Sequence, residues 1–108
     1  MTTEQAAGDQ TRFGTPSIEP GVHGPRSEIG FLLRAPRCEA LKWDLEAEVV
    51  SARRLWLDER QAWWIAMSYL DTVIGLVLRS FPSVLVIGEA EDKLLSRDGL
   101  LAIQGRII

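Results

Sequence analysis

Apolar positions are unevenly distributed along the chain, and their spacing sets the first expectations. After Pro36, apolar or small residues recur at Leu41, Leu45, Val49, Ala52 and Trp56, with Lys42, Asp44, Glu46, Glu48, Arg53 and Arg54 filling much of the rest. Steps of three and four residues predict an amphipathic helix over about 37–57. The phase runs on through Trp63, Ala66, Leu70, Val73 and Val77. One unbroken helix over 37–80 would be about 65 Å long. Asp58 followed by Gln61 has the form of a helix N-cap with its partner, so two helices are expected, about 37–57 and 59–80.

The second segment differs in kind. Trp63, Trp64, Ile65, Met67, Tyr69, Leu70, Val73, Ile74, Leu76, Val77 and Leu78 leave only a narrow polar strip, with Asp71 and Arg79 beside or on it. A helix apolar nearly all round is buried on most sides. Pro82 ends it, because the residue before a proline disfavours helical backbone. Ser83–Gly88 then reads as a short buried strand rich in β-branched residues. Beyond it, residues 89–96 suit either a short helix or, with a turn at Asp98-Gly99, one arm of a hairpin reaching Ile108.

Upstream the pattern thins. Residues 1–27 hold glycines 8, 14, 21 and 24 and prolines 16, 20 and 25, with Phe13, Ile18 and Val22 the large apolar side chains beyond Met1. Too little surface is available there to offset the entropy of ordering the segment. A disordered or loosely attached tail over 1–27 is expected. The run Ile29–Arg34 is short enough to be a strand or an arm packed on the core. The expected fold is therefore α+β: a single small domain over 28–108, two helices first and two or three short C-terminal strands after them.

Composition changes this picture little. The chain has 108 residues, 46% hydrophobic and 25% charged, with formal net charge −3. Both signs are spread along it without a basic block, which argues against a nucleic-acid partner. One cysteine, Cys38, excludes an intrachain disulfide, and one histidine, His23, lies in the Gly/Pro-rich tail. Neither a zinc site nor a Cys–His or Ser–His nucleophile can be assembled from that inventory. Glycine-rich phosphate loops are absent from the sequence. Glu89, Glu91 and Asp92 are read as acids favoured by a helix start rather than as catalytic groups. No cofactor is expected, and no N-terminal signal pattern is present, so a cytoplasmic, non-catalytic protein is the reading.

What remains is surplus apolar surface. About 80 residues offer little cover for a helix apolar on nearly all sides, so a partner is expected, either a second copy or another protein subunit. Trp43 and Trp64 fall off the core phase of the two helices and are the expected contact tryptophans. Asp71 and Arg79, costly if buried alone, are expected either to edge a solvent-facing strip of the helix or to pair across the same interface, and are carried as interface candidates. The alternative is membrane anchoring through 62–88, with Trp63 and Trp64 as an interfacial belt. Against it, Asp71 and Arg79 would each cost roughly 3 kcal/mol inside the hydrocarbon. No uncharged run approaches the about 20 residues that a spanning helix needs.

Overall fold

The computed structural model of the chain describes residues 15–97. Six strands form one sheet: β1 (Ser17–His23), β2 (Ile29–Arg34), β3 (Arg54–Leu57), β4 (Ala62–Ala66), β5 (Ser83–Val86) and β6 (Lys93–Ser96), in the order β3-β4-β2-β1-β5-β6. All neighbours are antiparallel except β1 and β5, which run parallel. Helices α1 (Glu39–Glu48) and α2 (Leu70–Ser80) supply Leu41, Leu45, Val73, Leu76, Val77 and Leu78 to the main core. They pack there with Ile18, Phe31, Leu33, Ile65 and Val84 from the sheet.

This corrects the expected order of two long helices followed by strands. Strands come first, and most of 54–66 is sheet. Leu55, Trp56 and Leu57, then Trp63, Trp64 and Ile65, are consecutive apolar, aromatic or branched residues that suit a pleated surface. The spacing of three and four seen through them coincides with alternation on two short strands. Asp58 and Gln61 do interact, as the helix-cap reading required, but they close a hairpin. Gln61 adopts the left-handed region at φ 51°. Its backbone N–H and its Nε2 both donate to the Asp58 carbonyl, at 3.2 and 2.7 Å.

The helices are accordingly short. α1 ends where Val49 turns extended, and the Arg54 Nε donates to the Val49 carbonyl at 2.9 Å. α2 keeps only the second half of the expected 59–80 segment and stops before Phe81 and Pro82. Arg97 closes its C-terminal end, with Nε donating to Leu78 O at 2.7 Å and a terminal nitrogen to Phe81 O at 3.1 Å. Cationic capping of orphan carbonyls suits the negative end of the helix dipole. At 11 residues α2 is the longer helix, and no helix among the described residues is long and apolar enough to cross a membrane.

The expected tail over 1–27 is also corrected where it is described. β1 is an inner strand, holding β2 on one side and β5 on the other. Its poor apolar content is compensated by position: Ile18 is wholly buried, while Pro16 O and Ile18 O accept from Leu85 N and Ile87 N at 2.8 Å. Pairing to β5 covers only Ser17 and Ile18, and a bulge follows between Pro20 and Val22 with Gly21 at φ 83°. Pro20 therefore sits where its missing N–H breaks no bond to β5. Ile29–Arg34, left open as strand or arm, is the strand β2, with four of its six residues buried. The expected strand at 83–88 lies where β5 is found, and 93–96 pairs back onto it through a loop at 87–92. The turn expected at Asp98-Gly99 lies outside the described residues.

A second, smaller core occupies the sheet face opposite the helices. Leu32, Ala62, Trp64 and Ala66 are buried there, with Val22, Leu57 and Tyr69 against them. The β1–β2 connection closes over the Trp64 indole, whose Nε1 donates to Val22 O at 2.9 Å. A Cβ on Gly30 would fall 2.4 Å from the Ile65 carbonyl oxygen and 2.5 Å from Trp64 Nε1, whereas one on Gly75, exposed within α2, would meet nothing. Gly30→Ala is therefore expected to destabilise the fold by about 3 kcal/mol through overpacking. Gly75→Ala is expected to stabilise it by about 0.5–1 kcal/mol through helix propensity. Chemical denaturation of the two variants checks both signs.

Candidate interaction site

Where the helices leave the sheet uncovered, a groove of about 980 Å³ opens between the start of α1 and the β3–β4 hairpin. The hairpin makes one wall because Trp56 and Trp63 are direct cross-strand partners. Their rings meet edge-to-face, centroids 5.4 Å apart and planes at 68°. Such a pair contributes about 0.5–1.5 kcal/mol beyond the area it buries. The opposite wall is the β2–α1 connection, with Ala35, Pro36 and Cys38. Cys38 is half-buried at the N-cap of α1 and is a free thiol.

Charge around the groove departs from that of the chain. Arg34, Arg37, Lys42 and Arg60 face Glu39 and Glu59, a cationic excess in a protein of net charge −3. Arg34 is already engaged by Glu19 at 3.2 Å. A half-exposed pair of that kind contributes little to stability.

The groove runs along an open edge. Among the described residues β3 ends the sheet, and its Leu55 and Trp56 are each 43% exposed, one on either face. Val50, just upstream, is exposed as well. Edge strands carry unpaired backbone N–H and C=O groups that template further pairing.

The four residues expected from sequence to make an interface are distributed differently. Trp43 is 66% exposed on the outer side of α1, next in sequence to the groove residue Lys42. Trp64 is 1% exposed, and its place in the contact set is corrected: a strand period of two turns it into the second core, while the helical period turned it outward. Asp71 and Arg79 are both exposed. They fall in the first and last turns of α2, where the helix dipole favours an acid and a base respectively. Neither lines the groove. Trp56, assigned to the core by helical phase, is the residue that sequence reasoning missed. The signal was its position in Leu55-Trp56-Leu57 ahead of a polar four-residue turn.

Among the described residues, no cluster of three or more histidine, cysteine or acidic side chains could hold a metal ion. Glu89, Glu91 and Asp92 form part of the exposed β5–β6 loop, where Asp92 Oδ1 accepts from Gly88 N at 3.2 Å. No protein-family model, curated protein or solved structure matches this chain.

The two tryptophans should separate cleanly in stability. Trp64→Ala is expected to cost about 3–5 kcal/mol by emptying the second core. Trp56→Ala should cost only about 1 kcal/mol, mainly the lost ring pair. Urea unfolding followed by circular dichroism measures both.

Proposed function

We propose that this protein is a non-catalytic interaction module that binds another polypeptide along the β3 edge and the tryptophan-lined groove beside it. The observation that carries the reading is the coincidence of three features at one place. Among the described residues, a strand edge without a neighbour, a half-exposed Trp56 with Leu55 exposed on the opposite face, and a cation-rich groove lined by Trp56 all lie at the same margin of the sheet. Strand addition draws affinity from main-chain hydrogen bonds and specificity from pockets for alternate side chains. Tryptophan and arginine are also the side chains that most often dominate such contacts. Trp43, on α1, is a second exposed tryptophan available for contact. A cytoplasmic setting goes with this reading, since a reducing compartment leaves the thiol of Cys38 free.

The test is the native mass of the complex that carries the full chain in an extract of its source cells. Leu55→Glu places a charge on the edge without touching either core and should shift the chain to monomer mass. Asp71→Asn and Arg79→Gln, away from the edge, should leave the mass unchanged. A complex that survives Leu55→Glu, or that is lost equally with Asp71→Asn, contradicts the assignment.

A further inference from the structure

The β3 edge carries a charge pattern that specifies its own partner. Reading outward from Trp56, Leu55 and Leu57 flank it, then Arg54 and Asp58, then Arg53 and Glu59. The stretch is apolar in the middle, basic at one end and acidic at the other. An antiparallel copy laid along β3 about a two-fold axis through Trp56 sets each Arg54 opposite Asp58 of the other copy. Arg53 and Glu59 lie one step further out, in the turns that precede and follow β3, and add the same opposite signs at the two ends of the pairing. Neighbouring registers lose the Arg54–Asp58 pair: a slip one way leaves Arg54 opposite Leu57, and a slip the other way sets it opposite Glu59, already inside the turn.

We infer that the protein pairs with a second copy of itself through β3, antiparallel and centred on Trp56, so that two sheets join into one. This rests on the reading of β3 as the contact edge and names the occupant. Asp58 and Glu59 are exposed, and Arg53 and Arg54 are half-buried at the strand entrance. Arg54 uses Nε on the Val49 carbonyl, and Arg53 uses one terminal nitrogen on Glu28 at 3.2 Å. A guanidinium has five N–H donors, so each arginine keeps donors for a carboxylate of the second copy. Asp58 Oδ1 receives only long contacts of 3.4 Å, from Trp56 Nε1 and Gln61 Nε2, and is free to turn outward. Direct cross-strand partners have Cβ atoms about 5 Å apart. The two Trp56 rings thus meet at the axis, each backed by its own Trp63, in a row across the joined sheets.

The purified full chain should sediment as a dimer at about 100 µM and dissociate on dilution, as a modest interface of short strands requires. Register is read by disulfide capture in a Cys38→Ser background. Trp56→Cys places two thiols across the axis within bonding range, while Leu55→Cys places them about 8 Å apart by Cα, beyond the ~7 Å limit. Rapid cross-linking of the first and not of the second is the expected result. Asp58→Arg should weaken the dimer at least about tenfold, and adding Arg54→Glu in the same chain should restore it. A wild-type monomer at that concentration overturns the pairing, as does equal cross-linking of the two cysteine variants. If the wild type is monomeric yet Leu55→Glu still dissolves the complex in extract, self-pairing fails while the contact edge stands.

Discussion

One buried indole holds the sheet in its observed arrangement. Trp64 lies on the face away from the helices, and its N–H cannot be left without an acceptor at that depth. The acceptor is the Val22 carbonyl, 42 positions away in sequence. Reaching it requires the end of β1 and the following connection to fold over the ring. Only glycine at 24 and 30 admits the ring so closely, since a Cβ at either would fall within 2.6 Å of it. The central strands β2 and β4 are thereby buried on both faces: Phe31, Leu33 and Ile65 toward the helices, Leu32 and Trp64 away from them.

Two-sided burial also explains how much of the fold was legible in the sequence. The residues of the core were visible; the period that arranges them was not. Ala62–Ala66 is apolar without interruption, and an uninterrupted run fits a strand buried on both faces as well as it fits a buried helix. Length should have arbitrated, since Asp58–Gln61 confines the runs on either side to strand size. β1 was hidden for a different reason. Its sequence, with Pro20 and Gly21 at its centre, is that of a loop, and it is a strand because β2 and β5 hold it and a bulge absorbs the proline. Tertiary context overrides local preference there. α2 was legible in its second half, where Pro82 stops it and Asp71 and Arg79 mark its two ends.

The contact site was legible only after that period was corrected. Under helical spacing Trp56 faces the core and Trp64 faces out; under strand spacing the two exchange roles. Trp43 alone keeps the outward position that both readings give it, because α1 is a real helix at that point. The charges around Trp56 were likewise in view, but as exposed residues on a helix they had no geometric relation to one another. Placed on a strand, Arg54 and Trp56 project to one face and Leu55 and Leu57 to the other, with Asp58 at the start of the turn that follows.

The two sheet edges also differ in a way that bears on pairing. β6 carries an exposed Lys93 beside Leu94, which is 63% exposed, and a lysine on an edge is a common means of discouraging further strands. β3 has neither lysine nor proline within it. Its charges sit outside the apolar centre, with opposite signs at opposite ends, and that arrangement selects more than it blocks. A parallel neighbour of the same sequence sets Arg54 against Arg54 and Asp58 against Asp58, whereas an antiparallel one centred on Trp56 sets each Arg54 against an Asp58. A foreign strand without this polarity leaves the arginines and acids unmatched, and like charges directly opposite are destabilising. Backbone hydrogen bonding would accept almost any strand at β3; the Arg54–Asp58 pair is what would favour one direction and one register over the others.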